Sequence, residues 1–587
     1  MVIKKQHEVG SDMIYTPNHV NNHTVSFDHI MHLYPVFNFA RDKTLLGHLT
    51  TDDHSDKLYP FTLHESIFIL FDGLIVMLTK SINAPYYAMA IFVALAYLIA
   101  YKILYKVTGD YIVSLCGPAI MIFGYHYLLL GNFSFEDFWN IAELMKRVHL
   151  QNNSLQFELN SFYRISALGS TYFIFLSYIF FLLRALDAGG KTFSKNTIVT
   201  AVLLGCNFYS YIYYIMTLGI MTGLMLLYYV ALVKKDDNWT KVKILFVVLV
   251  LGAFLGSPLL YSVLDHMRVV LNSDFWLRMG IIQDKMLFPD TYRLLFFFCV
   301  IAFLVKKSEF KLVSLALILA IIIGENAHLV FGVNMQPYHI YTRAALPFVV
   351  LSMVYALFSA AQGRIGGKIY QCVSLPLIIA IAVFYVFEAV HFSQAYAANT
   401  FQVQGIRTEQ KMLFEWFRKY ARTNDVVGSL SPEIAIPLNL FVPVRIYIPF
   451  AAQHYLSVKN EEINEKLALL LFLNNAKHND IYRYYSSKIG QQFEQMYLYY
   501  YFGYFYGPPG KYVSQSVEKA LEELEAKLAI VSQNPRQFIS KYRLDYLIKG
   551  SETEKENIFP TINAEYLHKV ADFKGYSVYK LTPPVRN

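Results

Sequence analysis

Charge, cysteine and tryptophan are scarce in this chain of 587 residues. Only 16% of its residues are charged, and it holds four cysteines and four tryptophans. Cys116, Cys206, Cys299 and Cys372 form no CxxC pair and do not cluster with histidine, which argues against a disulfide framework and a zinc site. No run of lysine and arginine marks a nucleic-acid footprint. No internal repeat or low-complexity tract appears, so neither a solenoid nor an inverted-repeat transporter gains direct support. Residues 1–24 are polar and lack the apolar core of a signal peptide.

What fills the chain instead is apolar. Residues of that class make up 55%, and 46 Tyr and 46 Phe supply most of the aromatic content. Mean hydropathy is +0.34, which excludes disorder and collagen-like repetition and points to a membrane protein. Tyrosine is enriched where protein meets lipid headgroups.

Three regions differ in character: a polar N-terminal loop with interfacial helices (1–83), a multi-span membrane domain (84–392) and a small soluble α/β domain (393–587). A spanning helix needs roughly 20 apolar residues. Candidates are 84–104, 112–130, 165–183, 242–263, 312–331, 344–360 and 373–392, with 292–305 shorter but bounded by Arg293, Lys306 and Lys307. The run 198–233 is long enough for about two crossings and splits into a hairpin near Tyr214. The sequence therefore predicts an α-helical polytopic domain of about 10–11 spans.

Loop charge tests that division, because Lys and Arg gather on the cytoplasmic side of short loops. Lys102 and Lys106; Arg184, Lys191 and Lys195; Lys234, Lys235, Lys241 and Lys243; Lys306, Lys307 and Lys311; and Arg364 and Lys368 fall at every second loop. The alternate loops, 132–164, 264–291 and 333–343, are then external, and the C-terminal domain emerges with them in an extracytoplasmic position. The parity also needs either a span ahead of this chain or 66–79 as an eleventh one. That run is short and holds Asp72, whose burial at mid-membrane costs ~2.5–3.5 kcal/mol, so it is read as interfacial or re-entrant.

Polar groups gather near the external ends. The stretch 26–35, SFDHIMHLYP, sets Asp28, His29 and His32 on an amphipathic segment, where Asp28 is either a helix cap or a general base or metal ligand beside a membrane cavity. Glu136 and Asp137 follow a span and serve as helix-dipole partners or, with Asp28, as oxygen ligands for a divalent cation such as Mg or Mn. In QPYHIYTR (336–343), His339 and Arg343, flanked by Tyr338 and Tyr341, suit a phosphate at headgroup level or a plain interfacial anchor. Glu325, Asn326 and His328 sit in the last turns of the preceding helix, where ionisable groups are costly without a cavity or a partner. Arg164 is a further cation at this level, either snorkelling or in contact with substrate. The Tyr- and Phe-rich stretch 497–509 reads as packing or as a sugar-stacking or membrane-facing loop.

Taken together, the early-loop acid in FDHIMHLYP, the polytopic core, the short QPYHIYTR loop and the external C-terminal domain resemble the GT-C superfamily of integral-membrane glycosyltransferases. That resemblance implies a sugar moved from a polyprenyl-phosphate donor to an extracytoplasmic glycan, lipid or protein acceptor. It implies Asp28 as the catalytic base or metal ligand, assisted by Glu136 or Asp137. His339 and Arg343 would contact the lipid-linked phosphate, and His29, His32, Arg164, Glu325 and Tyr338 complete the substrate-binding candidates. The competing readings are a transporter or flippase of lipid-linked glycans and a noncatalytic scaffold with an external binding domain. Expected partners are the lipid-linked donor, membrane lipids and the acceptor, with no nucleic acid.

Overall fold

The computed structural model describes residues 66–81, 84–124, 168–187, 192–232, 236–271, 281–282, 287–288, 290–331, 334–335, 340–364, 375–376, 378–387, 408–423, 425–430, 441–448, 460–477, 513–550 and 561–582, with Val36, Phe39, Ala40, Val390, Ile434, Leu438 and Ile481. It is mostly helical, with a small sheet in the C-terminal region. Among the described residues, five helical stretches are long and apolar enough to cross a membrane: Tyr87–Thr108, Gly169–Asp187, Ile212–Ala231, Asn238–Tyr261 and Arg343–Ala361.

The helices of the apolar region are α1 (Ser66–Thr79), α2 (Ala84–Thr108), α3 (Tyr111–Gly124), α4 (Leu168–Asp187), α5 (Lys195–Phe208), α6 (Ile212–Ala231), α7 (Asp236–Leu271), α8 (Asp290–Leu304), α9 (Glu309–Glu325), the short α10 (His328–Phe331), a π-helical turn (Ile340–Ala345), α11 (Leu346–Arg364) and α12 (Ile378–Phe387). The segment expected as a hairpin breaks at Tyr209–Tyr211, a few residues before Tyr214. Asn207 and Ser210 return side-chain bonds to Leu203 and Cys206 carbonyls there.

Ion pairs tie one end of the bundle together. Lys106 at the end of α2 pairs with Asp187 at the end of α4, and Lys241 of α7 meets Glu309 at the start of α9 at 2.5 Å, where the Tyr229 hydroxyl also donates. Lys311 Nζ donates to the Ala302 and Val305 carbonyls at 2.6 and 2.8 Å, a cation placed where the α8 macrodipole favours one. This is the end that carries the basic loops.

At the opposite end, α1 lies as an arm against the first part of α2. Phe71 stacks on Phe92 at 5.9 Å, and Phe92 stacks on Phe173 at 5.5 Å. The Ile67 amide donates to the Tyr209 carbonyl at 3.1 Å. The arm thus starts at the α5–α6 joint and climbs antiparallel to α2, never reaching the basic end. Its length agrees, since 14 residues at ~1.5 Å each fall well short of a ~30 Å hydrocarbon core. Phe39 closes over Gly73, where an added Cβ would stand 2.3 Å from the ring.

The C-terminal domain builds a five-stranded sheet. Its elements are α13 (Thr408–Tyr420), α14 (Asn460–Leu473), α15 (Val513–Gln533) and α16 (Pro535–Lys541), with strands β3 (Val426–Ser429), β4 (Arg445–Ile446), β5 (Tyr546–Gly550), β6 (Leu567–Phe573) and β7 (Tyr576–Leu581). Two-residue strands β1 (Ile281–Ile282) and β2 (Asn334–Met335) pair separately. The order β4-β3-β5-β7-β6 is parallel across the first three strands and antiparallel thereafter. The all-buried β5 suits a central strand covered on both faces. One face packs on α14 and α15 through Leu467, Leu470, Leu524 and Leu528, the other on α13 through Leu413, Phe414 and Phe417.

Glu465 of α14 is buried and accepts from Lys541 Nζ at 2.6 Å, the Tyr542 hydroxyl at 2.5 Å and Lys527 Nζ at 3.3 Å. The domain meets the arm through Phe441, which packs against the small apolar cluster made of Val36, Phe39, Phe68, Ile69, Val76 and Ala84. Phe414 stacks on Phe441 at 5.5 Å and Arg418 Nε donates to its carbonyl.

Candidate functional site

The end of the bundle away from the basic loops gathers buried polar groups from four elements. Asp290 opens α8 and its carboxylate is 3.3 Å from Arg293 Nη1, one turn on. Acidic first-turn residues answer the helix dipole, which accounts for the acid but not for what surrounds it. Glu325 ends α9 with no solvent exposure, and Asp290 acts on it electrostatically. Tyr341, in the π-helical turn, is within electrostatic reach of Asp290, Arg293 and Glu325, with Arg293 against its hydroxyl.

Asn326 locks these elements together. Its amide nitrogen donates to Thr291 Oγ1 and to the Ile322 carbonyl, both at 2.8 Å, and its side-chain oxygen accepts from the Phe288 amide at 2.9 Å. A buried amide using donors and acceptor alike fixes the spacing of α8 and α9 at the polar end. His328 is buried beside it.

Arg343 enters from the next turn of the π-helical segment. Its Nη1 makes a long contact, 3.4 Å, to the Tyr211 hydroxyl. Tyr211 stands among Tyr213 and Tyr214 with ring centroids 5.1 Å away, and Tyr214 leans on Tyr172 and Phe175. The Tyr172 hydroxyl donates to the Ala344 carbonyl at 3.3 Å. π-Helical turns shift side chains relative to the α register, and this one swings Tyr341 toward the acids and Arg343 toward the α5–α6 joint. The guanidinium offers a planar fork suited to carboxylate or phosphate.

No protein-family model matches this chain, and no curated protein matches it in sequence.

Of the residues singled out in the sequence, Glu325, Asn326, His328, Tyr341 and Arg343 lie in this polar end. Asp28, His29, His32, Glu136, Asp137, Arg164, Tyr338, His339 and the stretch 497–509 lie outside the described residues. Among the described residues no three His, Cys, Asp or Glu side chains group as metal ligands; the expected ligands Asp28, Glu136 and Asp137 are not in that set.

Asp290, Thr291 and Arg293 were not singled out as site residues. The signal was present: a D-T-Y-R sequence at the start of an apolar run places an acid and a cation one turn apart on one face. Asp72 was weighed only as a cost to spanning, yet the structure buries it completely, with neither carboxyl oxygen hydrogen-bonded among the described residues and Ser170 nearby.

Proposed function

We propose that this chain is a multi-pass membrane glycosyltransferase that moves a sugar from a polyprenyl-phosphate donor to an acceptor on the extracytoplasmic side, where its C-terminal domain also sits. The observation that carries this reading is the asymmetry of the bundle. One end is tied by basic loops, and the other collects Asp290, Arg293, Glu325, Tyr341 and Arg343 next to a folded domain.

Such an end suits surface chemistry on a lipid-anchored substrate. The isoprenoid tail stays in lipid while its headgroup rests among fixed cations, which raises effective concentration and orients the reacting bond. The acceptor hydroxyl attacks the anomeric carbon as its proton passes to a carboxylate, with Asp28 assigned that role and Glu325 to substrate contact. The departing phosphate keeps both bridging electrons, and Arg343 with His339 offsets its charge. Glu136 and Asp137 with Asp28 would hold Mg or Mn if the reaction uses one, supplying further charge stabilisation.

A carrier of lipid-linked glycans is the second reading, favoured by one observation: α9 ends at Asn326 and α11 opens on a π-helical turn, beside the buried Glu325. Discontinuous helices at a polar site are a transporter device.

The test is binding followed by turnover. In reconstituted protein, native mass spectrometry should show polyprenyl phosphate retained over phosphate-free polyprenol, with retention lost in Arg343→Ala. Polyprenyl-phosphate sugars incubated with acceptor should then release polyprenyl phosphate. Equal retention of phosphate and alcohol would sink the phosphate assignment; selective retention with translocation and no sugar release would favour the carrier.

A further inference from the structure

Asp72 is an acid with no place in the site described above. It sits in the middle of α1, completely buried, between Phe68, Ile69 and Val76 on its own arm and the start of α4. Neither carboxyl oxygen has a hydrogen-bond partner among the described residues; Ser170 is the polar side chain close enough to act on it, and Ser170 and Thr171 are themselves buried at the head of α4. Among the described residues no cation or second acid acts on it: α2 presents Ala84, Met89 and Phe92 to this seam, and Phe39 covers the neighbouring Gly73. An ionised carboxylate buried among apolar side chains with one hydroxyl for company is expensive, by several kcal/mol as an order of magnitude. A neutral carboxylic acid in the same seat costs far less.

The arm that holds this acid touches two other parts of the molecule. At its first turn the Ile67 amide bonds the Tyr209 carbonyl, two residues before Tyr211, the partner of Arg343. Along its flank, the cluster to which Phe68, Ile69 and Val76 belong receives Phe441 of the C-terminal domain.

We propose that Asp72 and Ser170 form a proton-binding site at the seat of the α1 arm, in which the bound proton keeps the arm packed and its loss releases the arm from the bundle. The proton leaves to solvent water and no other bond changes. Ionised Asp72 needs hydration, and hydration is available only if α1 lifts. Lifting α1 withdraws the surface beneath Phe441 and frees the Tyr209 carbonyl, so proton occupancy is felt by the domain and by the joint that carries Tyr211.

The experiment uses the full chain in liposomes and a hydrophobic carbodiimide. This reagent adds to a protonated carboxyl: the acid proton moves to a reagent nitrogen while the carboxylate oxygen bonds the central carbon, with nothing lost. Peptide mapping by mass spectrometry should find Asp72 modified at mildly acidic pH and unmodified at alkaline pH. Ser170→Ala, which keeps the acid and removes a hydroxyl that favours its ionised form, should shift that transition to higher labelling at a given pH. Hydrogen exchange, corrected for its intrinsic pH dependence, should show α1 opening as pH rises in the parent chain. In Asp72→Asn, a neutral isostere, α1 should stay protected throughout. The proposal is overturned by an unmodified Asp72 under acidic conditions in which Glu325 or another buried acid is modified. It is equally overturned if Asp72→Asn opens with pH as the parent does.

Discussion

Glu465 shows how one buried carboxylate is held in charge. Burial opposes its ionisation, but the bonds from Lys541, Tyr542 and Lys527 outweigh that and keep the carboxyl below the usual range. A depressed carboxyl pKa stabilises the fold above the unfolded value, near ~4.3, and that contribution fades as pH falls through the lower folded value. Glu465→Gln should therefore destabilise the C-terminal domain by about 1–3 kcal/mol at neutral pH and flatten its loss of stability on acidification. Urea titrations of the full chain, followed by hydrogen exchange in β5, read both; a variant with the parent's acid sensitivity would refute the assignment. Sequence legibility at this scale was uneven. Glu325, Asn326 and His328 announced themselves as polar groups ending an apolar run. Glu465 did not, because its partners Lys527, Lys541 and Tyr542 come from α15, α16 and the residue after it, far along the chain.

Helices were more legible than their neighbours. Each apolar run named in the sequence contains a helix, since about 20 apolar residues admit few other forms; what composition cannot give is how closely two helices approach. At the α5–α7 crossing, Cβ atoms added to Gly252 and Gly256 would stand 2.6 Å from Leu204 and 2.4 Å from Phe208, and one at Gly205 would stand 2.6 Å from Leu255. The two backbones meet across glycine, the pattern of close helix packing in lipid. Gly219 in α6 faces open space instead. Gly256→Leu should cost about 1–3 kcal/mol by overpacking, and Gly219→Ala should be neutral or gain up to about 1 kcal/mol by helix propensity. Thermal melts in detergent distinguish the two, and equal shifts would mean the crossing is not tight. The α1 arm was half legible: its brevity and Asp72 argued against a span, while its seat on Tyr209 and Phe39 needed the fold.

At the scale of the molecule, two features bear on orientation and both concern the same axis. Loop charge alternates, and the ion pairs Lys106–Asp187 and Lys241–Glu309 knit the basic loops into one end. The chain leaves the bundle at the other end, where Tyr385 of α12 packs on Gly124 at the end of α3, and Phe441 seats the C-terminal domain on the arm there. If basic loops lie in the cytoplasm, everything from α13 onward lies outside. Single cysteines in a background lacking Cys116, Cys206, Cys299 and Cys372 test this directly. Met412 on α13 and Phe193 in the α4–α5 loop are 51% and 69% exposed, so both accept a reagent without disturbing packing. In intact cells a membrane-impermeant maleimide should label Met412→Cys and leave Phe193→Cys untouched until the membrane is opened. Labelling in the reverse order would put the domain and the polar end in the cytoplasm, and an extracytoplasmic acceptor would then be out of reach of Glu325 and Arg343. Labelling of both in intact cells would mean that the α4–α5 loop and α13 share a side, which a bundle with these two ends on opposite faces of a membrane does not allow.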